Sequence, residues 1–240
     1  MKYNTVWISD LHLGSKNSNI SKLLDFLKNT ECDNLFIVGD FIDGWELKNK
    51  WYWINEYNTL VQKLLRKSRK GTKIYLIIGN HDDFLFNFEG FEFGNIKILR
   101  ECVHTTALNE KVLVIHGDQF DGIIKYVKWL QKIGSHLYNY IIDINTFVNR
   151  ILRKYGKTYS FAKFIKQNTK AALNFVNKFE ECLVDDAVKK GCTTVICGHI
   201  HSPMDKTING TRYMNCGSFQ EDEFHAVVED HNGILKLLTL

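Results

Sequence analysis

Residues 34–43 read Asn-Leu-Phe-Ile-Val-Gly-Asp-Phe-Ile-Asp, an apolar run that stops abruptly at Gly39 and Asp40. A run without polar alternation reads as a strand buried on both faces, as in a layered α/β structure. The same design recurs. Thr5–Ile8 leads into Ser9-Asp10-Leu11-His12, Lys73–Ile78 into Gly79-Asn80-His81-Asp82, Lys111–Ile115 into His116-Gly117-Asp118, and Thr193–Cys197 into Gly198-His199-Ile200-His201. Between the first three runs, Ile20, Leu23, Leu24 and Leu27, and then Ile54, Tyr57, Leu60, Val61, Leu64 and Leu65, keep helical spacing. Gly71 stands where a helix C-cap is expected. Strand and helix alternate, so the predicted class is α/β. Thr211–Asn215, Phe224–Glu229 and Ile234–Leu238 read as later strands, the last two joined as a hairpin across Asp230–Gly233.

Composition excludes several classes. With 240 residues, 45% hydrophobic and 24% charged, the chain is globular rather than disordered or fibrous. Its six cysteines form no C-x-x-C pair, which argues against a zinc knuckle or redox dithiol and predicts reduced, mostly buried thiols. Met1 leads almost directly into the first strand, and no run of about 18 apolar residues occurs. These features predict a cytoplasmic protein with no transmembrane helix.

In an open α/β sheet, ligands bind outside the carboxyl ends of the strands, so the five polar clusters are expected to share one crevice. The candidate ligands are Asp10, His12, Asp40, Asn80, His116, His199 and His201. Imidazole, carboxylate and amide without thiolate suit Mn²⁺, Fe²⁺ or Zn²⁺. Asp-x-His and His-x-His are read as extended segments whose alternate side chains reach one ion. Seven ligands exceed the needs of one first-row ion, so two ions about 3.5–4 Å apart are expected, bridged by Asp40. Each cluster alone would be ordinary turn chemistry or a structural histidine. Five in series, each directly after an apolar run, are not what turn chemistry produces, although Asp43 and Asp118 retain that simpler explanation.

Taken in order, Asp10-x-His12, Gly39-Asp40-x-x-Asp43, Gly79-Asn80-His81-Asp82, His116 and Gly198-His199-x-His201 resemble the calcineurin-like metallophosphoesterase superfamily. The resemblance implies a four-layer β-sandwich flanked by helices. It assigns one metal to Asp10, His12, Asp40 and His201, and the other to Asp40, Asn80, His116 and His199. Asn215-Cys216-Gly217-Ser218 resembles the segment that follows the last histidines in many members. Two such cations would acidify a shared water for in-line attack on phosphorus. His81 is the expected catalytic group at the leaving oxygen, with Asp82 orienting it through a carboxylate–imidazole hydrogen bond.

The net charge of +4 conceals an asymmetry. Residues 122–178 carry eleven cations and one anion, leaving twenty cations against twenty-six anions elsewhere. Ile123, Val127, Leu130, Leu137, Ile141, Ile144, Val148, Ile151 and Tyr155 follow steps of three and four around a gap at Gly134, predicting a helical insertion with an apolar seam. The expected organisation is a catalytic domain of residues 1–121 and 179–240 with a basic helical cap at 122–178. Cations beside apolar surface suit an anionic, greasy ligand or an anionic membrane.

Trp7 to Gly14, Gly39 to Trp45, His116 to Asp121 and Cys197 to His201 are similar to bacterial UDP-2,3-diacylglucosamine diphosphatases and their relatives. That resemblance implies Mn²⁺-dependent hydrolysis of a lipid-linked sugar nucleotide to UMP and a lipid phosphate in lipid A synthesis, at the cytoplasmic face of the inner membrane. No obligate protein partner is implied. It makes Asn80, His81, Asp121, Ser160, Lys166 and Lys170 the candidate substrate contacts. His81 departs from that branch, which carries Arg there, and matches the general phosphoesterase form. A phosphodiesterase or nuclease acting on nucleotides or nucleic acid would also use lysines with interleaved tyrosines. A non-catalytic scaffold is disfavoured, because every candidate ligand is present.

Overall fold

The first three apolar runs lie side by side in one sheet, and Lys111–Ile115, Thr193–Cys197 and Thr211–Asn215 lie in another. In the computed structural model, which describes residues 1–120, 176–220 and 223–240, the strands are β1 (Lys2–Ile8), β2 (Glu31–Val38), β3 (Lys73–Ile77), β4 (Glu92–Phe93), β5 (Ile96–Leu99), β6 (Glu101–Thr105), β7 (Lys111–Ile115), β8 (Thr194–Cys197), β9 (Met204–Ile208), β10 (Thr211–Asn215), β11 (His225–Glu229) and β12 (Leu235–Thr239). The named helices are α1 (Ser21–Asn29), α2 (Gly44–Asn49) and α3 (Asn55–Arg69). Residues 176–189 are also helical. One sheet has seven strands in the order β12-β11-β1-β2-β3-β5-β4, and the other has five in the order β6-β7-β8-β10-β9. β1, β2, β3 and β5 are parallel, as are β7, β8 and β10.

The two faces of the first sheet explain its unbroken apolar runs. Val6, Ile8, Leu35, Ile37 and Ile74 pack on Leu23, Leu27, Tyr57 and Leu60 of α1 and α3. The intervening Trp7, Phe36, Val38 and Ile77 pack on Val112, Val114, Ile196 and Met214 of the second sheet. Both faces are therefore buried, and the chain is an α/β sandwich with helices on its outer face. Trp7 pairs in register with Phe36 and Phe36 with Tyr75, and their rings stack at centroid distances of 5.6 and 4.4 Å. Leu65, expected on the apolar face of α3, is half exposed.

The α3 terminus follows the expected cap. Gly71 has φ +106°, its N–H bonds to the Ser68 carbonyl, and Thr72 N–H bonds to that of Lys67, the paired bonds of a Schellman motif. The hairpin from β11 to β12 closes through Gly233 N–H to the Asp230 carbonyl. Sequence patterns missed α2, β4, β5, β6 and β9. β6 and β9 are edge strands that lack the buried apolar run of a central strand.

None of the six cysteines forms a disulfide among the described residues, and Cys32, Cys192, Cys197 and Cys216 are buried. No helix among the described residues is long and apolar enough to cross a membrane. The chain divides into two compact units, residues 1–118 with 183–240 and residues 119–182. The anticipated insertion up to residue 175, with Asp121, Ser160, Lys166 and Lys170, lies outside the described residues.

Candidate metal centre

Every polar cluster lies just beyond the carboxyl end of a strand: Asp10 and His12 after β1, Asp40 after β2, Asn80 and His81 after β3, His116 after β7, and His199 and His201 after β8. They converge in three groups, one of them His12 with Asp43 and His81. Asp10, His12 and His201 offer ligand atoms within 4.8 Å of one another, and so do Asp40, His116 and His199. Asp40 lies between these last two groups, its Oδ2 being 3.6 Å from His12 Nε2 and 3.3 Å from His116 Nε2. His201 Nε2 is 3.2 Å from Asp10 Oδ1.

The backbone brings these side chains together in a way that extended strands would not. Asp10, His12, Asp40, His199 and His201 have φ of 53°, 46°, 50°, 70° and 52°, in the left-handed region. Such conformations cost about 1–3 kcal/mol each and persist only where surrounding structure imposes them. Here the loops are zipped together: Asp10, His12 and Leu13 donate backbone N–H bonds to the carbonyls of Gly39, Asp40 and Phe41. The expectation that Asp-x-His and His-x-His act as extended segments is therefore corrected. Convergence comes from sharp left-handed turns after the strands end.

The glycines preceding these residues are required by space. A Cβ on Gly79 would lie 2.2 Å from Asp40 Oδ1, and one on Gly198 would lie 2.4 Å from Asp10 Oδ2. Asn215 is fully buried, donates to the Gly198 carbonyl and accepts from Gly217 N–H, tying the Gly198–His201 loop to the Asn215–Ser218 segment. Ser218 is also buried there, its hydroxyl accepting from Gln220 N–H.

The donor set fits cations. Asp10 Oδ1, His12 Nε2, Asn80 Oδ1 and His116 Nε2 are all buried without a hydrogen-bond partner, an arrangement that is costly unless another species satisfies them. His116 Nδ1 donates to the Val38 carbonyl at 2.9 Å and His12 Nδ1 to Asp43 Oδ2 at 3.0 Å. Both bonds fix the tautomer that leaves Nε2 as a ligand atom. Burial opposes ionisation of Asp10, yet the His201 and His116 imidazoles hold its carboxyl well below its usual range. Burial alone would lower both imidazoles, but Asp10 and Asp43 push His12 up to about 9, and Asp40 and Asp10 push His116 up to about 10. A field that draws protons onto buried imidazoles equally favours a divalent cation in their place.

His81 and Asp82 part company. His81 Nδ1 bonds to Asp43 Oδ1 at 2.9 Å, and its backbone N–H donates to Asp40 Oδ1 at 2.9 Å. Trp45 lies against the ring at a centroid distance of 4.2 Å. Asp82 instead accepts from the backbone N–H groups of Phe41, Ile42 and Gly79, joining the β2 and β3 loops. Burial and the Asp40 carboxylate push it up to about 7. The expected orienting role of Asp82 thus passes to Asp43, which bridges His12 and His81 and also caps α2 by accepting from Glu46 N–H. Asp43-Gly-Trp-Glu46 carries the capping pattern of an acidic residue followed three positions later by Glu, a sequence signal that would have found this element. Asp118 accepts from Arg100 at 2.7 Å, an ion pair outside all three of these groups.

Comparison with known proteins places the chain in a family. The profile of the family described as calcineurin-like phosphoesterase matches residues 3–203. The chain is 27% identical over 209 residues to a UDP-2,3-diacylglucosamine hydrolase of Aliivibrio fischeri, covering 82% of this chain and 81% of that one. It is 26% identical over 225 residues to the enzyme of the same name from Wigglesworthia glossinidia brevipalpis, covering 88% and 84%. Among solved structures it is similar to Chaetomium thermophilum Vps29, at 10% identity and a TM-score of 0.48, covering 98% of this chain and 93% of that one. The chain belongs to the calcineurin-like phosphoesterase family and is a metal-dependent phosphoester hydrolase.

Proposed function

We propose that the protein is a dinuclear diphosphatase that hydrolyses UDP-2,3-diacylglucosamine, or a closely related lipid-linked nucleotide diphosphate, to UMP and a lipid phosphate. The observation that carries the dinuclear reading is the pair of ligand groups joined by Asp40, with unpartnered ligand atoms on Asp10, His12, Asn80 and His116. One cation is assigned to Asp10, His12, Asp40 and His201, and the other to Asp40, Asn80, His116 and His199. Mn²⁺ is the preferred ion for this nitrogen and oxygen set. Bound cations supply Lewis acidity to the phosphoryl oxygens and acidify a water.

The protein's own groups do the rest. Asp43 holds His81 through Nδ1, leaving Nε2 to hydrogen-bond the oxygen that departs as the P–O–P bond breaks and the water oxygen bonds to phosphorus. Asn80 and His81 also contact the phosphoryl group. Trp45 restricts the His81 ring, and Trp45 and Phe84 leave exposed aromatic surface beside it.

The lipid part of the proposal rests on relatives that carry that name along most of both chains and on the basic, apolar composition of residues 122–178. This segment is proposed as a cap whose Ser160, Lys166 and Lys170, with Asp121 at its entrance, meet the head group. Action at the cytoplasmic face of the inner membrane follows from that substrate. Purified protein with Mn²⁺ should release UMP from the lipid. Cleavage of bis-p-nitrophenyl phosphate with the lipid left untouched would remove the lipid assignment and leave the hydrolase.

A further inference from the structure

At the opposite end of the first sheet, an open cleft of about 650 Å³ lies where β1 and β2 begin and α1 and α3 end. Lys2 to Ile8 spans roughly 20 Å at the rise of a strand, so the cleft is remote from the metal centre. Six cations line it: Lys2, Lys28, Lys63, Arg66, Lys67 and Lys70. Glu31 and Asp33 are the only carboxylates in its lining among the described residues. The concentration is notable because the chain outside residues 122–178 is acidic on balance.

Residues 63, 66, 67 and 70 follow helical spacing, which sets them on one stripe of α3 extending into its cap. Like charges at that spacing repel, and none of the six cations is in an ion pair among the described residues. Lysines and arginines elsewhere do pair, as Lys190, Arg100 and Arg212 show. Compensation of a helix dipole accounts for Arg66 and Lys67 in the last turn of α3 and for Lys28 in that of α1. It does not account for Lys63 farther up the helix, or for Lys2 on a strand.

A second observation points to a ligand. Thr30 lines the cleft, is 1% exposed, and its Oγ1 is buried with no hydrogen-bond partner. Lys67 is anchored beside it through a hydrogen bond to the Thr30 carbonyl. Burial lowers the pKa of Lys67, and the charges of Lys63 and Lys70 act in the same direction against the opposing influence of Cys32 and Glu31. An anion in the cleft would relieve that repulsion and give the Thr30 hydroxyl an acceptor.

The geometry points to a binding site for a phosphate-rich anion, one presenting two or more neighbouring phosphoryl groups, separate from the metal centre. Residues 63 to 70 of the α3 stripe extend about 10 Å along the helix, farther than a single phosphate spans. The anion is either a polyphosphate free in solution or adjacent head groups of an acidic lipid surface, and the two sources share this chemistry.

Calorimetric titration with inorganic tripolyphosphate, at constant excess Mn²⁺, tests the site in the metal-loaded protein. Lys63→Gln/Lys70→Gln, and separately Lys28→Gln/Lys63→Gln, should weaken one binding event by about tenfold or more. Hydrolysis of bis-p-nitrophenyl phosphate should stay within about twofold of the parent, which separates this site from the metal centre. Sedimentation with phosphatidylcholine vesicles, with and without phosphatidylglycerol, distinguishes the sources. Vesicle binding that needs phosphatidylglycerol and is lost in both variants assigns the site to a lipid head group. Tripolyphosphate binding lost in both variants, without vesicle binding, assigns it to a soluble anion. Variants that bind both probes as the parent does, or a parent that binds neither, would overturn the inference.

Discussion

Asp43 shares its two carboxylate oxygens between His12 and His81. Burial opposes its ionisation, but hydrogen bonds from those imidazoles hold its carboxyl well below the usual range. Asp43→Asn keeps an N-cap for α2, since Asn caps as well as Asp, but removes the charge that the two imidazoles stabilise, so stability should fall by about 1–3 kcal/mol near neutral pH. Mn²⁺ affinity should fall about 10–100-fold, because a carboxylate no longer orients His12. A Mn²⁺ titration followed by kcat checks this, and an unchanged affinity would reduce Asp43 to a helix cap. His81→Ala should keep both metals, measured by elemental analysis, while kcat drops about 10²–10⁴-fold. Loss of metal would instead make His81 part of the ligand set. The sequence placed His81 beside Asn80 without ambiguity, but it favoured Asp82 as the partner. Adjacency along the chain is a poor guide when the chain turns sharply, and Asp82 points its oxygens at the amides of Phe41 and Ile42.

At the scale of elements, the loops after the strands carry the demand for close approach. Gly198→Ala would drive a methyl into Asp10 and Ser9, since its Cβ meets Asp10 Oδ2 at 2.4 Å and Ser9 Cβ at 2.7 Å. Stability should fall by about 1–3 kcal/mol by urea denaturation, with weaker metal binding. Gly71→Ala is the control: its Cβ meets nothing within 4 Å, so only the φ of +106° resists the substitution. A loss of about 1 kcal/mol with unchanged activity is expected there. The central strands could be read from composition because a strand buried on both faces must be apolar throughout. Edge strands such as β9, with Asp205 and Lys206 in it, leave no such mark. The left-handed turns left none either, because five of them fall on Asp and His rather than on Gly.

Across the whole molecule, Glu229 joins the two sheets. It accepts from Thr5 Oγ1 at 2.7 Å on the first sheet and from Ala107 N–H at 2.8 Å beyond β6, with His104 of the second sheet at 3.3 Å. Burial raises its pKa, but the hydrogen bonds from His104, Ala107 and Thr5 outweigh this and lower it from the ordinary 4.5. A depressed carboxylate contributes stability that is present above its unfolded pKa and lost as pH falls through the folded one. Glu229→Gln should therefore cost about 1–3 kcal/mol near neutral pH. The gap between parent and variant urea midpoints should close as pH drops below 4.5. A gap independent of pH would show that shape rather than charge matters there. Chelation is the second test at this scale. Removing divalent metal should lower Tm, and Mn²⁺ restored to about 100-fold above Kd should return about 2.7 kcal/mol of stability.

The order of strands and polar clusters was open to reading from the chain alone, because burial on both faces of a sheet and the chemistry of metal ligands each demand particular residue types in one local stretch. Asp10, His12, Asp40, His116, His199 and His201 could be selected that way, and the structure brings all six to two adjoining groups. The exchange of Asp82 for Asp43, the left-handed turns and the basic cleft could not. Lys2, Lys28 and Lys63 meet only because α1 and α3 end where β1 and β2 begin. Electrostatic energy depends on distance through space, and that distance exists only once the loops have closed.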